Sequence, residues 1–265
     1  MNQIFLPAAA TPQRQGTRRL FLCRHGETAL NQQGKLQGRR MNPPLNGNGL
    51  EQAAQLAQAL AGQRIDLVAA STMLRARQTA AAVASASNNR RVALLEELAE
   101  IDFGSASDGL DLEEAERRTD ALWLAWAQGQ VDARPAAGGG ESLREVLERF
   151  AQAAQRMLEA VPADGGVAVA VTHSGLLDVV MAAALAHEAR FGDKDEAWWL
   201  ASPQTWNLLA ARHLREDNAC FNVLEFDSAC TPPRGLVRVP VVGYRHHVLL
   251  SLPAEKHAQD PGVTE

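Results

Sequence analysis

Cysteine is scarce in this 265-residue chain: Cys23, Cys220 and Cys230 are the only three. An odd number without metal-like spacing speaks against a disulfide framework and for a reducing compartment. Long apolar runs are missing as well. None approaches the roughly 18 residues that a membrane span needs, and the longest, at 179–186, is alanine-rich and reads as a buried helix. Near the N-terminus the apolar stretch 4–10 is short, broken by Pro7 and not preceded by basic residues, so no signal peptide is expected. Positive charge is also in deficit. Lys and Arg number 26 against 31 Asp and Glu, and no basic block is longer than a pair. That excludes a surface built to coat nucleic acid. Together these absences predict a soluble, cytoplasmic protein with neither nucleic-acid nor membrane partners.

What is present is the composition of an ordinary globular protein, 46% apolar and 22% charged, long enough for a substantial core. Strand-like apolar runs fall at 19–23, 65–70, 92–95, 167–172 and 220–226. Helical periodicity fills the gaps at 49–61, 73–86, 111–128, 141–160 and 175–188. In the first helix Leu50, Ala53, Ala54, Ala57 and Leu60 share a face, with Asn46 as its cap; in the third, Leu112, Ala115, Leu122 and Trp126 point inward. Alternating strands and helices predict an α/β fold, a three-layer α/β/α sandwich around a mostly parallel sheet. Residues 1–18 read as a loose leader, 19–252 as one domain and 253–265 as a disordered tail. The tryptophan-bearing stretch 189–215 (Trp198, Trp199, Trp206) reads as an insertion that covers the sheet edge, walls the pocket or packs into the core. Residues 135–140 read as a flexible loop before a helix, not a domain linker.

Four segments carry chemistry. Arg24-His25-Gly26-Glu27-Thr28 directly follows the run 20–23, so a cation and an imidazole emerge where a strand ends, the usual ligand side of an open α/β sheet. Alone, such a pair is ordinarily a solvated basic turn. Arg75 stands in Ser71-Thr72-Met73-Leu74-Arg75, where a second strand turns into a helix and a guanidinium fork can meet a phosphoryl oxygen. His173, in Thr172-His173-Ser174-Gly175, emerges at a third strand end. Glu100 lies just past a fourth, where a carboxyl could hold a proton for a leaving oxygen. Fixed positive groups converging on one crevice are what a phosphoryl dianion requires.

In these motifs and their order, the chain resembles the histidine phosphatase superfamily, the phosphoglycerate mutase-like group. The likeness includes Asn31, Gly34-x-x-Gln37-Gly38 and Pro44-Leu45-Asn46-x-x-Gly49-x-x-Gln52-Ala53, with Asn46 replacing the usual Thr, and covers roughly residues 19–180. It implies that His25 is the nucleophile and becomes a phosphohistidine. It also implies that Arg24, Arg75 and His173 form the phosphate pocket, that Glu100 is the proton donor, and that Asn31 and Gln37 assist. No metal or other cofactor is implied, since the arginines and histidine supply the charge. Gly26 is expected to be small so that the phosphoryl group can approach. The chain departs from the family pattern in the loop 37–45, one residue longer, with Met41 or Asn42 where an Asp is common. It departs again after Gly104, where Ser105-Ala106-Ser107-Asp108-Gly109 replaces Trp-Glu-Gly.

The resemblance leaves three readings. The favoured one is a phosphomonoesterase acting on a small phosphorylated metabolite. A cofactor-dependent phosphoglycerate mutase would use Arg117 and Arg118 as clamps, although on a helix with Glu113, Glu114 and Glu116 these read first as a solvated face. A non-catalytic phospho-ligand-binding protein would have lost one of the four pocket residues, and none is lost. Oligomeric state is open, with a homodimer among the options.

Overall fold

A computed structural model describes residues 12–87, 91–136, 139–189, 197–199 and 218–244. Most of the leader, most of 189–215, Arg245, His246 and His247, and the tail 253–265 lie outside them.

Among the described residues six strands form one sheet: β1 (Thr17–Arg24), β2 (Leu67–Ala70), β3 (Val92–Leu94), β4 (Val167–Thr172), β5 (Phe221–Asp227) and β6 (Leu236–Tyr244). Their order is β3-β2-β4-β1-β5-β6. The first four run parallel, β5 runs against β1, and β6 runs against β5, so the sheet is mostly parallel as the alternation predicts. The strand β6 is absent from the sequence reading. Pro240 in its middle argues against a central strand, and β6 is an edge strand, where that proline is tolerated.

Among the described residues six α-helices accompany the strands: α1 (Ala29–Gln32), α2 (Gly47–Leu60), α3 (Leu74–Ala86), α4 (Leu112–Ala127), α5 (Leu143–Glu159) and α6 (Ser174–Ala189). The pleat explains the three layers. Leu20 and Leu22 of β1 and Ala168 and Ala170 of β4 join one core with α5 and α6. Phe21 and Cys23, with Val167, Val169 and Val171, join a second core with α2 and α3 on the opposite face. Alternate residues thus serve alternate faces, and both faces are covered.

Local chemistry sets the helix starts. Asn46 caps α2 through the Gly49 N–H, and Ser142 with Glu145 forms a capping box on α5. Three positions expected to face inward face solvent instead. Leu50 and Ala54 are exposed, and the buried residues of α2 are Gly49, Gln52, Ala53, Leu56, Ala57, Ala59 and Leu60. Backbone contact at Gly49 sets that rotation. In α4, Leu112 is exposed while Ala115, Thr119, Leu122 and Trp126 are buried. Trp198 is core: it packs on Phe150 and Phe226, and its indole N–H donates to the Pro233 carbonyl at 2.9 Å. Among the described residues no helix is long and apolar enough to cross a membrane.

Candidate active site

Sheet register creates the site. Arg24 of β1 lies opposite Thr172 of β4, so the next residue of each strand, His25 and His173, leaves the sheet beside the other. The His25 N–H donates to the Thr172 carbonyl at 3.0 Å, and the two rings sit 5.2 Å apart, edge to face. On the other side of β4, Ser71 follows the end of β2 and its hydroxyl meets His173 Nε2 at 2.9 Å. Both histidines are buried.

The hydrogen bonds of His25 fix its tautomer. Nδ1 is 2.7 Å from the Gly26 carbonyl oxygen, which can only accept, so Nδ1 carries the proton. Nε2 then holds a lone pair, and it accepts from Arg75 Nε at 3.2 Å. That is the protonation state a nucleophilic imidazole needs. Burial lowers the pKa of His25 well below the ordinary value, with the charges of Arg75 and Arg24 adding to it. Burial followed by Arg75 does the same to His173. The Nδ1 of His173 is buried without a hydrogen-bond partner.

Arg75 sits in the first turn of α3, fully enclosed. Its two terminal nitrogens donate to the Met41 carbonyl at 2.9 Å and the Gly38 carbonyl at 3.1 Å. Here the longer loop finds its use: Met41 holds Arg75, and the Asn42 side chain accepts the Leu74 N–H at 2.6 Å, serving the uncapped start of α3. Burial pulls Arg75 down to about 10, partly offset by the nearby Glu100 carboxylate, so it stays charged at neutral pH. Arg24 closes β1, and its charge reaches both histidines.

Glu100 follows a single 3-10 turn (Glu96–Leu98) after β3. Its carboxylate accepts N–H groups from Ile101 at 2.9 Å, Leu176 at 3.1 Å and Gly175 at 3.3 Å. It therefore sits at the N-terminus of α6, the helix that follows His173, where the helix dipole favours a carboxylate. The fold brings Arg24, His25, Arg75, Glu100 and His173 to one end of the sheet. Asn31 is half-buried and its amide oxygen completes a capping box with Thr28, with Asn218 3.4 Å away. Gln37 is buried, and its amide oxygen makes no hydrogen bond.

Gly26 has a reason beyond the one its sequence position suggests. A Cβ there would lie 2.4 Å from the Gly49 carbonyl oxygen, so the start of α2 itself demands the glycine. Sequence reasoning also missed Ser71 as the partner of His173, although it heads the Arg75 motif. Thr79 was missed too: its hydroxyl accepts the Gly26 N–H at 3.0 Å and donates to the Arg75 carbonyl at 2.9 Å. Arg117 and Arg118 pair with Glu113 and Glu114 on the exposed face of α4.

The profile of the histidine phosphatase superfamily (branch 1) matches residues 20–231. A bifunctional protein of Mycobacterium tuberculosis is 35% identical over 168 residues, 63% of this chain. The chain spans only 44% of that relative's length. The adenosylcobalamin/alpha-ribazole phosphatase of Escherichia coli is 30% identical over 214 residues, covering 79% of this chain and 90% of that one. Among solved structures, a mycobacterial glucosyl-3-phosphoglycerate phosphatase superposes with a TM-score of 0.66 over 86% of this chain and all of its own, at 24% identity. That last likeness concerns the fold.

Proposed function

This chain belongs to the histidine phosphatase superfamily, branch 1, and from that premise we propose that it hydrolyses a small phosphorylated metabolite in the cytoplasm through a phosphohistidine, without a metal. One observation carries the reading. His25 Nδ1 is locked on the Gly26 carbonyl, which leaves the Nε2 lone pair facing Arg75, with the His173 ring beside it.

In the first step Nε2 attacks phosphorus and the bond from phosphorus to the ester oxygen breaks in line. Arg24, Arg75 and His173 hold the equatorial oxygens while their charge spreads. For Arg75 this means exchanging its bond to Nε2 for one to the phosphoryl group. The unpartnered His173 Nδ1 is suited to the same dianion. Glu100, protonated as the phosphoryl dianion enters beside it, gives that proton to the departing oxygen. In the second step water attacks phosphorus, Glu100 takes the water's proton, and the P–N bond breaks to free phosphate. Asn31 and Gln37 assist by orienting the ester.

The mutase alternative needs cations over the pocket. Its candidates, Arg117 and Arg118, are committed to ion pairs on α4. The deciding experiment is hydrolysis of p-nitrophenyl phosphate in EDTA by the wild type and His25→Ala, with acid-labile phosphoenzyme trapped by rapid quench. Metal-independent turnover and phosphoenzyme in the wild type, both abolished in the variant, are expected. Turnover that survives His25→Ala, or that EDTA abolishes, overturns the proposal.

A further inference from the structure

Glu100 belongs to the irregular segment 99–103, where no helix or strand ladder fixes a side chain. Something outside that segment must set its place. On the inner side of α5, Arg149 turns three of its five N–H donors on the backbone at and just before it. One terminal nitrogen donates to the carbonyls of Glu97 at 2.7 Å and Ala99 at 2.8 Å, and the other reaches the Glu100 carbonyl at 3.3 Å. The remaining two N–H groups make a fork to the Glu141 carboxylate at 2.8 and 3.1 Å.

Glu141 completes the frame from the far side. Its carboxylate accepts the Asp102 N–H at 3.0 Å, and its own N–H donates to the Asp102 carbonyl at 2.9 Å. The backbone is thereby tied on both flanks of Glu100, through residues 97, 99 and 100 before it and Asp102 after it. The pair is mostly buried, with side-chain exposures of 12% for Arg149 and 15% for Glu141. A planar, charged fork can bridge three carbonyls and a carboxylate at once, and a lysine ammonium cannot.

We infer that Arg149, braced by Glu141, is a positioning residue that holds the Glu100 carboxyl at the leaving oxygen. The inference rests on Glu100 as proton donor. It separates two kinds of ester. A β-glycerophosphate leaving group needs the proton as the bond breaks, whereas p-nitrophenolate departs without it. Displacing a proton donor therefore slows the first ester selectively.

The test is first-turnover cleavage of β-glycerophosphate and p-nitrophenyl phosphate by wild type, Glu100→Gln, Arg149→Lys and the double variant. Arg149→Lys should slow β-glycerophosphate cleavage by about 100-fold, the scale of a misplacement near 1 Å, and p-nitrophenyl phosphate far less. In the double variant it should add nothing to the Glu100→Gln defect on β-glycerophosphate. Glu141→Gln, which keeps the acceptor oxygen and loses the charge, should show the same selectivity in milder form and guards against a misfolded Arg149 variant. Equal losses on both esters, or additive losses in the double variant, overturn the inference while leaving the donor assignment standing. A Glu100→Gln variant that slows both esters alike overturns the donor assignment, and the inference with it.

Discussion

Gly26 and Gly49 meet backbone to backbone. A Cβ on Gly26 would lie 2.4 Å from the Gly49 carbonyl oxygen, and one on Gly49 would lie 2.0 Å from that of Glu27. Neither oxygen can swing aside like the end of a side chain, because Glu27 O also accepts the Asn46 N–H and Gln52 holds the Glu27 N–H. The loop that carries His25 is thus seated directly on the start of α2. Gly26→Ala and Gly49→Ala should each cost about 1–3 kcal/mol by overpacking, and both should misplace His25. Thermal melts read the first effect and phosphoenzyme yield the second. A Gly26→Ala protein with wild-type melting and phosphoenzyme would show that the loop is not seated in this way.

Acid should destabilise the fold early. Burial first, and Arg75 next, hold both His25 and His173 well below the ordinary histidine value, so both are neutral in the folded protein. The unfolded chain takes up a proton on each near pH 6.5, and the folded chain does not. Below that pH the unfolded state binds more protons, so stability is complete above about 6.5 and is lost as pH falls toward the folded values. The slope is about 1.4 kcal/mol per pH unit for each histidine. Urea unfolding at a series of pH values measures it, and His173→Asn should remove roughly half of that slope. The same shift keeps His25 nucleophilic on the acid side, so the acid limb of kcat/KM should lie below 6.5.

Most of the layout was legible because it rests on local rules. The run 20–23 followed by Arg24-His25, and 167–172 followed by Thr172-His173, announce strand ends, and parallel pairing of β1 with β4 does the rest. The Asn46 cap was readable from its position before an apolar-periodic stretch, and it holds Gly49 as a cap should. What was not legible depends on contacts between distant segments. Periodicity placed Leu50 inward, but Gly49 against Glu27 turns α2 so that Leu50 faces solvent. The roles of Met41, Ser71 and Arg149 lie in which carbonyl or ring nitrogen each one meets, and spacing along the chain carries no trace of that.

The arginine pair on α4 gives a negative prediction with positive content. Arg117 bonds Glu113 and Glu114, while Arg118 bonds Glu114 and the Ala106 carbonyl, all on an exposed face. Exposed pairs of this kind add little to stability. Arg117→Ala should leave kcat, KM and the melting midpoint at wild-type values. A rise in KM for carboxylated phosphoesters would instead identify Arg117 as a substrate clamp and revive the mutase reading.

Gly175 is a third glycine whose missing side chain matters, and it acts on the acid instead of the nucleophile. A Cβ there would lie 2.7 Å from Glu100 Oε1 and 3.3 Å from its Cδ. Unlike the oxygens beside Gly26 and Gly49, this neighbour is the end of a side chain and can yield. Gly175→Ala should therefore fold, with the carboxyl pushed off the Gly175 and Leu176 N–H groups that now hold it. His25, Arg75 and His173 keep their places, so phosphate should inhibit the variant as it inhibits the wild type. Proton delivery should suffer, with kcat on β-glycerophosphate falling by up to about 100-fold at little change in KM. Tighter loss on KM than on kcat would mean that Gly175 shapes the phosphate pocket itself, and that Glu100 tolerates the methyl group where it stands.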